Sequence, residues 1–200
     1  MEIYYKNEVA YNKEQINIVE LKTKEQANEK LWYLERRKRI TATNFARICK
    51  KKESTNCGNI VKDILYPNEA IENKAEIIYG KKMEPIGIKR YSDLYKKIIV
   101  EKSGFWIDEK NLWIGCSPDR LLLDQTKKNY GVLEIKWVAK EDFKRKKLSE
   151  IVSIDKKFCL ENIEGSLHLK KKTSVFLSNS GANAYNKKII LRLCHIHRSR

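Results

Sequence analysis

The sequence predicts an α/β fold in which helices come first and a small group of strands follows. Two observations support this prediction. Apolar residues recur at helical spacing within residues 69–97, whereas short runs rich in β-branched and aromatic residues occupy residues 97–138. The 200 residues are 42 % hydrophobic, which is enough for one domain with its own core.

The helices are predicted from apolar spacing and from capping and breaking residues. Residues 1–23 are polar, and we expect them to be irregular. Thr41 or Thr43 can cap the second helix, and Pro85 is a candidate kink in the last one because proline lacks a helical N–H. The predicted helices are about 24–37, one from near residue 43 to about residue 50, a short turn at 60–65, and 69–97.

The strands are predicted from short apolar runs bounded by turn residues. The last strand follows Gly131, and its alternation projects Glu134 and Lys136 to the same side. We expect the tryptophans at positions 106, 113 and 137 to lie in the core rather than to stack on bases. The predicted strands are 97–100, 104–107, 112–116, 120–123 and 132–138.

The chain carries a formal net charge of +16, from 42 Lys and Arg residues against 26 Asp and Glu residues. This excess indicates a polyanionic partner, and we expect nucleic acid rather than a membrane. The five cysteines include no C-x-x-C pair, which argues against a disulfide framework and structural zinc. We therefore expect an intracellular protein, in the nucleus if the source is eukaryotic and otherwise in the cytoplasm.

Asp119 and Glu134 are the candidate metal ligands, and Lys136 follows Glu134 on the same predicted strand. Two carboxylates can hold a hard divalent cation, and a lysine can position or activate water for phosphodiester hydrolysis. Taken alone, Glu134 and Lys136 are more typical of a surface ion pair. Their place inside an apolar strand favours the metal site, because an ionised group there needs a partner or a role.

A second group of residues is suited to phosphate. Arg36 lies a short distance before Thr43, which is near the start of a predicted helix. A guanidinium beside a helix N-terminus is a natural phosphate receptor. Glu84, in the long predicted helix, adds a further carboxylate.

Four sequence blocks carry a more specific signal. They are W-x3-R-x3-I-T-A-T at 32–43, Y-G-K-K-M-E at 79–84, G-C-S-P-D-R at 115–120 and G-V-L-E-I-K-W at 131–137. Together they resemble the YqaJ-like viral recombinase or phage lambda exonuclease family of the PD-(D/E)XK nuclease superfamily, over roughly residues 30–170. The resemblance implies a restriction-endonuclease-like core, with a small mixed central sheet flanked by helices. It also implies Mg²⁺-dependent digestion of double-stranded DNA from a 5′ end towards the 3′ end, in recombination or repair, with Mn²⁺ as the alternative cation.

The resemblance also implies roles for individual residues. Thr43 departs from the commoner serine of the family but keeps a hydroxyl, and Arg120 replaces a frequent glycine. The implied metal ligands are Asp119, Glu134 and the Ile135 carbonyl. Lys136 is the implied catalytic lysine, and Glu84 is the implied helix carboxylate near the metal. The implied pocket for a terminal 5′-phosphate consists of Arg36, Thr43 and Ser117.

The end of the chain departs from the family, which carries a Q-x-Q helix after the E-x-K strand. No Q-x-Q occurs here. Suitable codons for Thr173 onward, read from the second nucleotide, encode HQYFYQIQGQMHITKR, so we infer a shifted reading frame. The chain then divides into a polar extension (1–23), a YqaJ-like nuclease domain (24–172) and an atypical tail (173–200). Relatives form rings around DNA, and the altered tail puts both such assembly and activity in doubt.

Three alternatives stay open at this point. The first is an inactive DNA-binding module of the same fold, which keeps the basic charge without turnover. The second is a site-specific or structure-specific endonuclease, which would cut a closed circular duplex. In the third, Glu134 and Lys136 are an ordinary ion pair and the protein is not a nuclease.

Overall fold

Helices dominate the first half of the chain and five successive strands follow them in the computed structural model, which describes residues 5–67, 74–127, 129–135, 146–156, 158, 160–170 and 188–191. The helices are α1 (Lys13–Lys22), α2 (Lys30–Arg37), α3 (Ala42–Cys49), α4 (Gly58–Leu65), α5 (Ala75–Leu94) and α6 (Leu148–Ile154). The strands are β1 (Ile40–Thr41), β2 (Ile99–Lys102), β3 (Trp106–Ile107), β4 (Ile114–Cys116), β5 (Arg120–Leu123), β6 (Asn129–Glu134), β7 (Leu160–Ile163), β8 (Ser166–Leu169) and β9 (Lys188–Leu191).

Within the described residues, the strands form two sheets and a separate hairpin. One sheet has the order β1-β4-β3, the other has the order β2-β5-β6-β9, and β7 pairs with β8. Both sheets are mixed. Strand β1 runs parallel to β4 and β9 runs parallel to β6, whereas the other neighbouring strands of the two sheets are antiparallel. Only residues 117–119 separate β4 from β5, so this short link joins the two sheets.

Helix α5 packs on the larger sheet. Tyr91 of α5 forms a buried cluster with Leu122, Leu133 and Ile135, which all project from one face of β5 and β6. Pro85 lies inside the helix without ending it. The predicted helix at 69–97 is thus confirmed over Ala75–Leu94, and its packing fixes the two strands that carry Asp119 and Glu134 at their ends.

The N-terminal region is more ordered than its composition suggests, and the expectation of an irregular segment at 1–23 is wrong. Helix α1 begins with a capping box, in which Asn12 and Gln15 exchange side-chain and backbone hydrogen bonds. Its buried Ile16 and Val19 pack with Phe105 and Ile107. The i, i+3 spacing of Ile16 and Val19 places both on one face of the helix, and packing of that face on Phe105 and Ile107 stabilises α1.

Other expectations also change in the structure. Strand β5 matches its predicted bounds, whereas α6 and the β7–β8 hairpin had no clear sequence signal. Trp113 is 45 % exposed, so its assignment to the core is wrong. In the atypical tail, β9 pairs in register with Gly131–Glu134, so this short segment covers an edge of β6.

Within the part of the chain that the structure describes, no helix is both long and apolar enough to span a membrane.

Gly104 lies where the chain leaves β2 and meets α1. A Cβ at this position would lie 1.9 Å from the carbonyl oxygen of Glu20, which belongs to the α1 backbone. We expect Gly104→Ala to lower the free energy of unfolding by about 2–3 kcal/mol, because helix and strand must separate to admit the methyl group. Chemical denaturation measures the change.

A matched control is Gly80→Ala in α5, where nothing lies within 4 Å of the added Cβ. That substitution should stabilise by about 0.5–1 kcal/mol, because alanine is the better helix former. Equal effects at the two positions would contradict the packing of α1 against residue 104.

Candidate functional site

The register of β5 and β6 sets Asp119 against Glu134. Arg120 pairs with Leu133 and Leu121 pairs with Val132, so the next step of the antiparallel ladder places Asp119 opposite Glu134. Directly opposed residues share one face of a sheet. Oδ2 of Asp119 accepts a hydrogen bond from the backbone N–H of Ile135 at 2.6 Å. The two half-buried carboxylates therefore sit at one end of the strand pair.

Glu84 reaches this end of the sheet through Arg120. Nη1 of Arg120 lies 3.2 Å from Oε1 of Glu84 and also donates to the backbone carbonyl oxygen of Asp119. Arg120 shares a face with Leu133, towards α5, whereas the alternation of β6 projects Glu134 from the other face. Glu84 is thus linked to the backbone of Asp119 by an arginine that the sequence identified only as an unusual residue.

The candidate metal-binding atoms at this end of the sheet are oxygen atoms. Among the described residues there is no cluster of three or more His, Cys, Asp or Glu side chains that could hold a metal ion. The carboxylates of Asp119 and Glu134, which the strand register places on one face, and the backbone carbonyl of the following Ile135 are nevertheless the donors that Mg²⁺ and Mn²⁺ prefer. The donor set therefore fits a hard divalent cation by its chemistry. Lys136 lies outside the described residues.

Trp32 connects two residues of the predicted phosphate pocket. Its indole Nε1 donates to Oγ of Ser117 at 2.8 Å, and the guanidinium carbon of Arg36 lies 4.1 Å from the ring centroid. Stacking of this kind restrains a cation over the aromatic face. The W-x3-R spacing places both side chains on one face of α2, and this was the available signal for the positioning role of Trp32.

The start of α3 completes this region. Strands β1 and β4 run parallel, with Ile40 beside Ile114 and Thr41 beside Gly115. Because the two strands are parallel, the first residues of α3, which follow β1, lie at the same edge of the sheet as Ser117, which follows β4. A helix N-terminus offers N–H groups and a partial positive charge to an anion. Thr43 lies in this first turn, but its side chain is outside what the structure describes.

A buried ionic network holds α2 in place. Glu35 and Arg39 are only 1 % and 2 % exposed and form an ion pair, and the hydroxyl of Tyr11 donates to Glu35 at 3.0 Å. Arg39 also donates to the carbonyl oxygens of Val9 and Leu112. The network thus ties α2 to segments on both sides, and its residues carry no local sequence signal for this role.

Lys38 extends this network towards solvent. Burial opposes its charged form, but hydrogen bonds with Tyr11 and Glu35, together with the negative charge of Glu35, raise the pKa of Lys38 above its ordinary value. Because the pKa is raised on folding, the stabilisation is fully present below the unfolded-state value of 10.5 and is lost as pH rises through the folded-state value. Lys38 therefore remains a cation at neutral pH.

Comparison with known proteins agrees with this arrangement. The model of the YqaJ-like viral recombinase domain family matches residues 31–161. A crystal structure of an alkaline exonuclease (LHK-Exo) from Laribacter hongkongensis is similar, with a TM-score of 0.55 and 17 % identity over 83 % of this chain and 75 % of that chain. Its complex with dAMP gives a TM-score of 0.53 and 19 % identity over 80 % and 72 % of the two chains. No curated protein matches the sequence.

These structural similarities confirm the predicted fold. The chain has a restriction-endonuclease-like α/β architecture, with small mixed sheets and flanking helices. At such low identity the likeness is one of fold.

Proposed function

We propose that this chain, which belongs to the YqaJ-like viral recombinase domain family, is a metal-dependent exonuclease that degrades double-stranded DNA from its 5′ ends. Family and structural neighbours point to a nuclease, and a nuclease of this family suggests a divalent metal. One observation of this chain carries the proposal furthest. The register of β5 and β6 sets Asp119 opposite Glu134, and the N–H of Ile135 binds the Asp119 carboxylate.

Asp119, Glu134 and the carbonyl of Ile135 would hold the cation, which we propose is Mg²⁺ or Mn²⁺. When bound, the cation supplies a more acidic water and positive charge for the phosphate. Lys136 would position the attacking water. Glu84, which pairs with Arg120 on the α5 side of the sheet, would act on the site through that arginine and its bond to the backbone of Asp119. A site of oxygen ligands should respond poorly to Zn²⁺.

Arg36, Ser117 and Thr43 would receive the terminal 5′-phosphate of the DNA. Trp32 holds both Arg36 and Ser117, and the first turn of α3 follows in register. The similar alkaline exonuclease was crystallised with dAMP, a nucleotide that carries one phosphate. The net charge of +16 supports the same polyanionic substrate and predicts binding that weakens with added salt.

Arg36→Ala tests the phosphate pocket. Loss of a charge-assisted hydrogen bond, worth about 1.5–3 kcal/mol, should reduce kcat/KM on 5′-phosphorylated duplex ends by roughly 10- to 100-fold. Ends with a 5′-hydroxyl should be affected little. The measurement is the ratio of the two initial rates on otherwise identical duplexes.

Arg37→Ala is the matched control, because Arg37 is the exposed neighbour of Arg36 on α2. It should weaken both substrates slightly and equally, as a general loss of phosphate attraction would. If Arg36→Ala behaved like Arg37→Ala, the proposed 5′-phosphate pocket would be wrong.

A DNA-binding module without turnover is the second candidate, and one observation favours it. Within the described residues no three potential metal ligands converge, and Glu84 is paired with Arg120. Such a module would bind linear duplex DNA with the same salt dependence, yet leave it intact in Mg²⁺ or Mn²⁺.

A closed circular duplex separates the exonuclease from an endonuclease, because only the endonuclease needs no end. The role in recombination or repair, and any ring-shaped oligomer, remain predictions of the family resemblance.

A further inference from the structure

The short link between β4 and β5 is held by side chains from distant parts of the chain. Trp32 donates to Oγ of Ser117, and the N–H of Ile135 binds the carboxylate of Asp119. Between these two residues, Nε2 of Gln26 donates to the carbonyl oxygen of Pro118 at 2.9 Å. Every residue from 117 to 119 is thus fixed by a different partner.

Gln26 reaches Pro118 from a strained backbone. Its φ is 48°, in the left-handed region that non-glycine residues seldom occupy. The same Nε2 also donates to the carbonyl oxygen of Ser103 at 2.9 Å, so both of its amide protons have a partner. Strain of this kind persists when surrounding contacts determine the conformation. The backbone therefore aims the carboxamide at two carbonyl groups.

The segment around Gln26 is itself anchored. Oγ1 of Thr23 accepts a hydrogen bond from the N–H of Phe105 at 2.7 Å, and the N–H of Gln26 donates to the carbonyl oxygen of Thr23 at 2.9 Å. Residues 23–26 and 103–105 consequently form one support, to which Pro118 is tied. Because the backbone of Gln26 is anchored and its amide binds two carbonyl oxygens, this side chain can restrain the peptide group of Pro118.

The restrained peptide is the one that leads into Asp119. The carbonyl of Pro118 and the N–H of Asp119 belong to the same planar unit, so fixing this oxygen fixes the plane. The direction of the Asp119 Cα–Cβ bond follows from that plane and from φ of Asp119. We propose that Gln26 is a positioning residue that sets the carboxylate of Asp119 for the cation. This inference rests on the proposed function in assigning the cation to Asp119.

Two substitutions separate the carboxamide from its strained backbone. Gln26→Glu keeps the length but replaces both N–H donors with a carboxylate that faces two carbonyl oxygens. Gln26→Asn tolerates a left-handed φ and keeps the amide, but is one methylene too short to reach Pro118. Loss of such a supporting partner typically costs about 10- to 100-fold in metal affinity or activity.

We expect both variants to raise the Mn²⁺ concentration for half-maximal cleavage by about tenfold and to lower kcat, with KM for DNA unchanged. The ¹H–¹⁵N resonance of the Ile135 amide, which binds Asp119 directly, should shift in the metal-free protein. Gln15→Ala is the control, because it removes a capping bond of α1 and leaves the 117–119 link untouched. It should lower Tm without moving either readout.

Unchanged metal dependence together with an unmoved Ile135 resonance would overturn the proposal. So would a loss of activity that matches the loss of folded protein and is shared with Gln15→Ala. If the unaltered protein cleaves no DNA, the proposed function fails, but the Ile135 resonance still decides whether Gln26 positions Asp119.

Discussion

Asp119→Asn is expected to abolish metal-dependent cleavage, by about 10³-fold or more, while the chain stays folded. The substitution keeps the shape of the side chain and an oxygen that can accept the N–H of Ile135, but removes the negative charge that faces Glu134. A bound cation contributes several kcal/mol of charge stabilisation, and each 1.36 kcal/mol is a factor of ten in rate. A loss of about 4 kcal/mol of this stabilisation therefore corresponds to about 10³-fold in rate.

The assay uses a linear, 5′-phosphorylated duplex with Mg²⁺ or Mn²⁺, and calorimetric titration of Mn²⁺ reports binding directly. Asp93→Asn is the control, because Asp93 is an exposed carboxylate on α5 that forms ion pairs only with Lys89 and Lys96 among the described contacts. It should retain full activity. Full activity of Asp119→Asn would place the chemistry elsewhere in the chain.

The central part of the fold could be predicted because its signals are local. The apolar run of β6 is interrupted by a carboxylate at Glu134, and β5 begins directly after Asp119. Strand alternation and an antiparallel ladder then leave few ways to bring the two together. The role of each residue in this arrangement stays a prediction.

Other features depend on contacts between distant segments and leave no local trace. Glu35 and Arg39 have the i, i+4 spacing that is typical of exposed helix pairs, but in the fold they are buried and bonded to Tyr11, Val9 and Leu112. Gln26 likewise reads as an ordinary polar residue until Pro118, 92 residues away, lies beside it. The pairing of Glu84 with Arg120 has the same origin, since it joins α5 to β5.

The buried ion pair of Glu35 and Arg39 leads to the second large expected effect, a loss of stability. We expect Glu35→Gln to lower the free energy of unfolding by about 3–5 kcal/mol, because it leaves the guanidinium of Arg39, 2 % exposed, without its counter-ion. For a chain of this size each kcal/mol lowers Tm by about 2–4 °C, which gives a decrease of about 6–20 °C. Urea denaturation followed by tryptophan fluorescence and calorimetry would measure the loss. The exposed pair of Lys89 and Asp93 is the control, and Lys89→Ala should leave Tm nearly unchanged because solvent screens this pair.

The double variant Glu35→Met, Arg39→Met distinguishes the ion pair from the packing around it. Removing both charges leaves no uncompensated ion, so the double variant should be more stable than Glu35→Gln and approach the unaltered protein. The network supports α2, which presents Trp32 and Arg36 to Ser117, so Glu35→Gln should also reduce the preference for 5′-phosphorylated ends in the molecules that remain folded. A small, additive effect of the two charges on stability would show that Glu35 and Arg39 act independently. In that case α2 would be held by its apolar contacts, and the geometry of the phosphate pocket would not depend on the buried pair.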